Sequence, residues 1–362
     1  MFTSIDKPLL YITLLLFAGG FLILASASTA QSIRNFNSIE YYSLRQLFYG
    51  GILGILVFLI TQWVPYRFWK KIALPLMILS FILLALLFIP ELSLTFGGAR
   101  RWLSLGPITF QPSEILKLSF IIYLASWLDA RRKDVSSFSY GFIPFSLMLS
   151  IVGMFLVMQP DIGTLGVIAG TAALLYFLGG GRVSQIFTMG ALGLVILYFL
   201  VQLAPYRLNR ILVFWNPGLD PQGFGYQINQ AFIAIGSGGF WGLGFGKSLQ
   251  KYNYLPESMT DSIFAIFAEE MGFFGVLLLI ATFGGLLWRG MVIAKNTDDV
   301  FGRLLASGLV LGIMVQAFIN MAAISGLMPL TGIPLPFVSY GGTSLVITLA
   351  SMGILMNISK HT

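Results

Sequence analysis

The residues able to do chemistry concentrate in one stretch of this chain, 204–262. Arg207 and Arg210 stand three apart, as on one helix face, and Lys247 and Lys251 repeat the arrangement at four. Four such cations beside a membrane surface suit phosphate, the arginines as planar forks and the lysines as point charges. Contact with lipid headgroups is the plainer use of the same charges. The stretch closes on Asp261, with Glu257 shortly before it. By position alone Asp261 is an acid at the start of a helix, complementing the helix dipole. Glycines at 236, 238, 239, 242, 244 and 246 precede Lys247-Ser248 and imitate the end of a P-loop. That pattern needs glycine where this chain has Trp241, so the glycines read as close packing or as a turn against a ligand.

Other ionisable residues interrupt apolar runs. Glu114 and Lys117 are spaced i, i+3, Asp161 sits in the turn Gln159–Ile162, and Glu269 and Glu270 lie inside an apolar helix. A charge at mid-membrane costs about 2.5–3.5 kcal/mol, so each is a functional candidate. The plain reading of Glu114 with Lys117 is a local ion pair. Glu269 and Glu270 have no partner nearby in sequence and should find cations on other helices. Arg45 is one more cation on the side of the large loop.

The elements that must position these groups are membrane helices. Of the 362 residues, 57% are hydrophobic and only 10% charged, with mean hydropathy +0.87. A soluble domain carries roughly a quarter charged residues. The apolar runs are continuous and near the length that crosses a ~30 Å core as helix, so the fold class is all-α integral membrane. About ten spans are expected, near 8–28, 47–63, 72–90, 115–128, 141–158, 163–179, 184–203, 263–288, 303–327 and 341–358. Arg67, Lys70, Lys71, Arg131, Arg132, Lys133, Arg289, Lys295 and Arg303 share one side if both termini are cytoplasmic, as the positive-inside rule favours.

Residues 204–262 then form one large outer loop between the seventh and eighth helices. Its aromatic and glycine content predicts order, with a half-buried helix around Tyr226 to Ile235. Residues 1–362 read as a single transmembrane domain. Ala25-Ser26-Ala27 imitates a signal-peptidase site, but the apolar stretch before it is long for a signal peptide, so a retained first helix is expected. There is no cysteine, and the single histidine, His361, is next to the last residue, which excludes disulfides and Cys/His zinc sites. The net charge of +7 is read as topology signal and contact with anionic lipid, not as a nucleic-acid surface.

Several motifs then agree in order along nearly the whole chain. Pro336-Phe337-Val338-Ser339-Tyr340-Gly341-Gly342-Thr343-Ser344, led in by Asn320, Gly326, Pro329 and Gly332, resembles the signature of the SEDS family (shape, elongation, division and sporulation proteins). Gln111-Pro112-Ser113-Glu114 through Lys117 looks like that family's fourth-helix motif, and Gln159-Pro160-Asp161 with Gly163-Thr164 like its fifth–sixth helix turn. Leu255-Pro256-Glu257, Thr260-Asp261 and Glu269-Glu270 with Gly272 are similar to its large-loop exit. The phrases Gly225-Tyr226-Gln227 through Gly239, and Gln250-Lys251 before Leu255, look more like the FtsW branch than the RodA branch. A departure is Ser258-Met259, where many members carry Ala-His or Pro-His.

The resemblance implies a ten-helix peptidoglycan glycosyltransferase that polymerises lipid II in the bacterial cytoplasmic membrane, for septal synthesis or, as the alternative, for elongation. It matches Asp261 to the family's essential acid, displacing the dipole reading. It implies structural roles for Ser339, Gly341 and Gly342. It implies a class B penicillin-binding protein as partner, among other division or elongation proteins. Gly284-Gly285 and Gly308 with Gly312 offer small-residue faces for a partner helix, or simply pack within the bundle.

The chemistry fits these residues. Joining a sugar hydroxyl to an anomeric carbon with a pyrophosphate leaving group needs no acid for departure, so one base suffices, unlike the two carboxylates of a glycosidase. Asp261 is the expected base. Arg207, Arg210, Lys247 and Lys251, with Lys117, Glu114, Glu257 and Arg45, are the expected substrate contacts. A magnesium or manganese ion at the pyrophosphate is a further possibility without a clear cage. The rival from another class is a lipid II flippase, which would use the intramembrane Asp161, Glu269 and Glu270.

Overall fold

The computed structural model describes residues 5–96, 99–106, 108–202, 205–220 and 222–362. Its first half runs α1 (Lys7–Ala27), α2 (Thr29–Phe36), α3 (Tyr41–Gln46), α4 (Leu53–Trp63), α5 (Tyr66–Leu86), strands β1 (Ser93–Phe96), β2 (Ala99–Leu105) and β3 (Ile108–Phe110), then α6 (Pro112–Ala130). There follow α7 (Ile143–Met158), α8 (Ile162–Leu178), α9 (Val183–Gln202), α10 (Pro205–Trp215), α11 (Phe224–Gly238), α12 (Ile263–Asn296), α13 (Val300–Ile324) and α14 (Gly342–Ser359). A π-helical stretch joins α3 to α4 as one helix, Tyr41–Trp63. Among the described residues, eight helices are long and apolar enough to cross a membrane; α8 is apolar but shorter, and α6 carries Glu114, Lys117 and Asp129.

The expected helices are all present with shifted ends. The fourth begins at Pro112 rather than 115, because a proline at the first helical position leaves no hydrogen bond unmade. The third begins at Tyr66 rather than 72, and the eighth extends past 288 to Asn296. Hydropathy stops at the charged residues, whereas helical hydrogen bonding continues through them. A three-stranded antiparallel sheet, β1-β2-β3, was not expected in an all-α chain. It pairs Leu103 with Ser93 on one side and Phe110 on the other, with Leu103 fully buried.

α13 and α14 form the buried centre, and α14 is buried along most of its length. α9 is the opposite case, with only Gln185 and Val201 buried. α12 is broken at Gly272 (φ 65°, ψ −168°), a conformation that favours glycine. The strap 239–244 closes the break: Phe273 and Phe274 donate to the carbonyls of Gly239 and Phe240, and Leu243 and Gly244 donate to those of Glu269 and Glu270. Broken backbone inside a membrane protein survives where such partners exist. The glycine-rich run is therefore a packing device, as one of its two readings held. The segment 326–341 is also non-helical, buried at Ile333 and from Leu335 to Ser339, and it places the site.

Candidate functional site

Asp261 lies in the turn before α12, and the turn is held by its backbone. Tyr340 N donates to Met259 O at 2.8 Å, Ser339 Oγ to Thr260 O at 2.6 Å, and Asn320 Nδ2 to Asp261 O at 2.8 Å. Three consecutive carbonyls are thus pinned by α13 and the 326–341 segment. Ser339 also accepts from Leu335 N, so one hydroxyl fixes both strands of the contact. Asn320 also donates to Ile333 O at 2.7 Å. Gly332 (φ 72°) comes so close that a Cβ there would sit 3.3 Å from Asp261 Oδ2. Ser339 thus has the structural role expected of it. Gly341 and Gly342 continue the support, Gly341 N donating to Gln46 Oε1 and Gly342 lying beside the Tyr49 carbonyl.

The half-buried Asp261 side chain opens on a cavity of about 30 Å³ shared with Arg210, Gln227, Asn320, Thr331 and Gly332. Arg210 reaches it from α10, donating to Leu330 O at 3.1 Å and stacking over Phe224. Arg101, on β2, is tied to the carbonyls of Gln159 and Pro160 and acts on Asp261 through its charge without lining the cavity. Asp161, buried at the start of α8, caps Thr164 N and accepts from Ser113 Oγ. Burial pushes the Asp261 carboxyl up, and the nearby charge of Glu257 adds to it. Arg210 and Arg101 pull it down, Asp161 pushes it up a little, and the balance leaves it at about 7. An acid poised there is a matched general base near neutral pH, not the weak one its ordinary value would make it.

The remaining expected residues divide. Glu257 is exposed and accepts from Thr260 Oγ1. Arg207 lies in α10, and its side chain falls outside the described residues. Lys247 and Lys251 share no helix face, because 247–251 is a turn. Lys251 is a correction as a phosphate contact. It is buried, paired with Glu270 at 2.9 Å, and donates to Ser26 Oγ and Gly246 O. Lys247 is exposed beside it and does not line the Asp261 cavity. Arg45 is exposed on α3, over Tyr49 and away from that cavity.

Glu114 and Lys117 form the local ion pair of the plain reading, at 2.8 Å and buried. Lys117 also donates to Gln316, whose amide donates to Pro334 O at 2.9 Å. The pair therefore braces the 326–341 segment through Gln316, and both residues also line a cavity between α6, α8 and α13. Glu269 and Glu270 were expected to meet cations from other helices. Instead Glu269 accepts from Ser248 Oγ, Leu249 N and Gln250 N, and Glu270 from Ser26 Oγ, Lys251 and Ser248 N. The loop, folded back onto α12, supplies all of these partners except Ser26, which comes from α1.

Sequence reasoning missed three site residues. Arg101 carries no motif, and nothing in sequence relates residue 101 to 261. Asn320 was noted only as part of a motif. Gln227, which donates to Ser262 Oγ at 3.0 Å, gave no signal beyond its place in an amphipathic helix.

Comparison with known proteins agrees with this geometry. The family model FTSW_RODA_SPOVE, described as cell cycle protein, matches residues 7–362. Stage V sporulation protein E of Bacillus subtilis is 41% identical over 99% of this chain and 98% of its own length. The probable peptidoglycan glycosyltransferase FtsW of Geobacter sulfurreducens is 40% identical over 98% of this chain and 95% of its own. Among solved structures, a chain of a peptidoglycan synthase complex that coordinates polymerization and crosslinking superposes with a TM-score of 0.79. It is 29% identical and covers 98% of each chain. RodA of Thermus thermophilus superposes at 0.72, with 29% identity, 98% of this chain and 97% of its own covered.

Proposed function

The chain belongs to the FtsW, RodA and SpoVE family of multi-pass bacterial membrane proteins, and from that premise we propose that it polymerises lipid II at the outer face of the cytoplasmic membrane. It is a peptidoglycan glycosyltransferase, and identities of 40–41% to FtsW and SpoVE relatives favour septal synthesis over elongation. Both termini are cytoplasmic in this reading, and the loop carrying α10 and α11 faces outward.

The observation that carries it is Asp261: a carboxyl raised to about 7, on a rigid turn, in a cavity that Arg210 also lines. The acceptor sugar's hydroxyl gives its proton to Asp261 as its oxygen bonds to the donor's anomeric carbon. The bond from that carbon to the pyrophosphate oxygen breaks, and the polyprenyl pyrophosphate leaves with the electron pair. Arg210 and Arg101 stabilise the developing negative charge. Among the described residues no three carboxylates or imidazoles converge as a metal site. A divalent ion at the pyrophosphate would therefore draw its oxygens mainly from the substrate. The intramembrane acids that would argue for transport are engaged internally: Asp161 as a helix cap, Glu269 and Glu270 by the loop.

The partner in this reading is a class B penicillin-binding protein. Its helix does not dock on Gly308 or Gly312, where a side chain would press on Ile121. Gly284 is open, with exposed Leu277, Ile280 and Trp288 along the same helix, and that face of α12 is the proposed seat. The function is tested by lipid II polymerisation with purified protein, with and without the partner, comparing wild type with Asp261→Ala. Near-normal polymer from the variant removes Asp261 as the base.

A further inference from the structure

The cavity beside Asp261 holds two polar atoms that the fold leaves unanswered. Among the described residues, Asn320 Oδ1 and Thr331 Oγ1 are buried and have no hydrogen-bond partner. Both residues line the Asp261 cavity. Buried polar groups in native proteins are nearly always paired, and an exception calls for a ligand or a function. Two such exceptions in one cavity of about 30 Å³, beside the proposed base, are hard to ascribe to loose packing. The cavity has room for a hydroxyl or a water.

Their orientation is set by the fold. Both hydrogens of the Asn320 amide are engaged, one on Asp261 O and one on Ile333 O. Its oxygen therefore cannot turn away and is left as an acceptor. Asn320 is 1% exposed, so bulk water does not satisfy it. Thr331 stands between Leu330, whose carbonyl holds Arg210, and Gly332, which abuts Asp261 Oδ2. Its backbone carbonyl lies close to Gly163 at the start of α8, which fixes the residue from behind. One group can only accept; the other, a hydroxyl, can donate.

We infer that Asn320 Oδ1 and Thr331 Oγ1 are the acceptor-sugar contacts of this enzyme, Thr331 donating to the attacking hydroxyl oxygen and Asn320 accepting from a neighbouring O–H or N–H of the same sugar. The attacking hydroxyl then has two fixed partners, its proton directed at Asp261 and a lone pair held by Thr331. The remaining lone pair is aimed at the donor carbon. The ring stays outside the cavity and only its polar edge enters, which restricts acceptors to sugars carrying two adjacent hydrogen-bonding groups. This rests on the assignment of Asp261 as the base.

The test uses full-length protein and binding as well as turnover. Thr331→Val keeps the shape and removes the hydroxyl. It should lower kcat/KM for lipid II polymerisation by about tenfold, the scale of one hydrogen bond, without lowering thermal stability. Thr331→Ser should restore most of the activity. Wild type should bind lipid II several-fold more tightly than an analogue lacking the attacking hydroxyl, and Thr331→Val should narrow that difference, the Asp261 contact remaining. Full activity in Thr331→Val, or undiminished discrimination against the analogue, overturns the inference, because the orphaned hydroxyl would then be a packing flaw. The binding comparison is repeated in Asp261→Asn. If that variant still polymerises, the base assignment falls alone, while discrimination at Thr331 is read independently of it.

Discussion

Two groups of carboxylates sit near the start of α12, and the fold treats them in opposite ways. Glu269 and Glu270 are saturated, receiving backbone N–H groups, two serine hydroxyls and an ammonium. Among the described residues, Asp261, just outside the same helix, is pinned only through its backbone carbonyl, and its carboxyl faces a cavity with a raised proton affinity. Paired acids fasten the loop to the bundle; an acid whose frame is fixed and whose oxygens are free is placed to take a proton. The two glutamates lie deeper than Asp261, and the count of donors on the carboxylates separates the two further.

The comparison can be broken from either side. The largest effect is expected at Asp261: Asp261→Ala should cut polymerisation by about a thousandfold, the range of a general base, while the protein purifies and melts as wild type does. Next is the saturated group. Lys251→Met leaves Glu270 buried without its cation and should destabilise the protein by about 3–5 kcal/mol, read as a lower melting temperature in detergent. Adding Glu270→Gln should recover part of that loss; if the double variant melts no higher than Lys251→Met, the pair is not what holds the loop.

Smaller effects should appear in the pH profile. Arg210 holds the Asp261 carboxyl down and Glu257 holds it up. Arg210→Ala should therefore move the acid limb of kcat/KM to higher pH, and Glu257→Gln to lower pH. Movement of both in one direction would contradict the assigned charges. The smallest change concerns the partner face. Gly284→Leu should leave stability near wild type yet reduce recovery of a co-expressed class B penicillin-binding protein, whereas Gly308→Leu should cost about 1–3 kcal/mol or more by overpacking against Ile121 and Leu175.

Much of this was legible in the sequence. Uninterrupted apolar runs have one solution in lipid, so the long helices followed from hydropathy alone. The helix near Tyr226 to Ile235 appears as α11, and the Glu114–Lys117 pair as read. What sequence could not supply was long-range closure. Lys251 looked like a free cation because its partner Glu270 lies on the far side of the loop exit, and Ser26 belongs to the first helix. Arg101 comes within electrostatic reach of Asp261 only because a small sheet folds between α5 and α6, and strands this short carry little periodic signal. The proton affinity of Asp261 depends on burial and on four charges, of which only Glu257 is local in sequence.

The most direct measurement is the pH dependence of kcat/KM for lipid II polymerisation by the purified wild-type protein. The base acts as its carboxylate, so activity should be low in acid and rise with pH through about 7, where the Asp261 carboxyl gives up its proton. A rising limb there, abolished along with polymer formation in Asp261→Asn, is the predicted result. A profile flat across neutrality, or with its limb near the ordinary carboxylate value of about 4, would contradict the account.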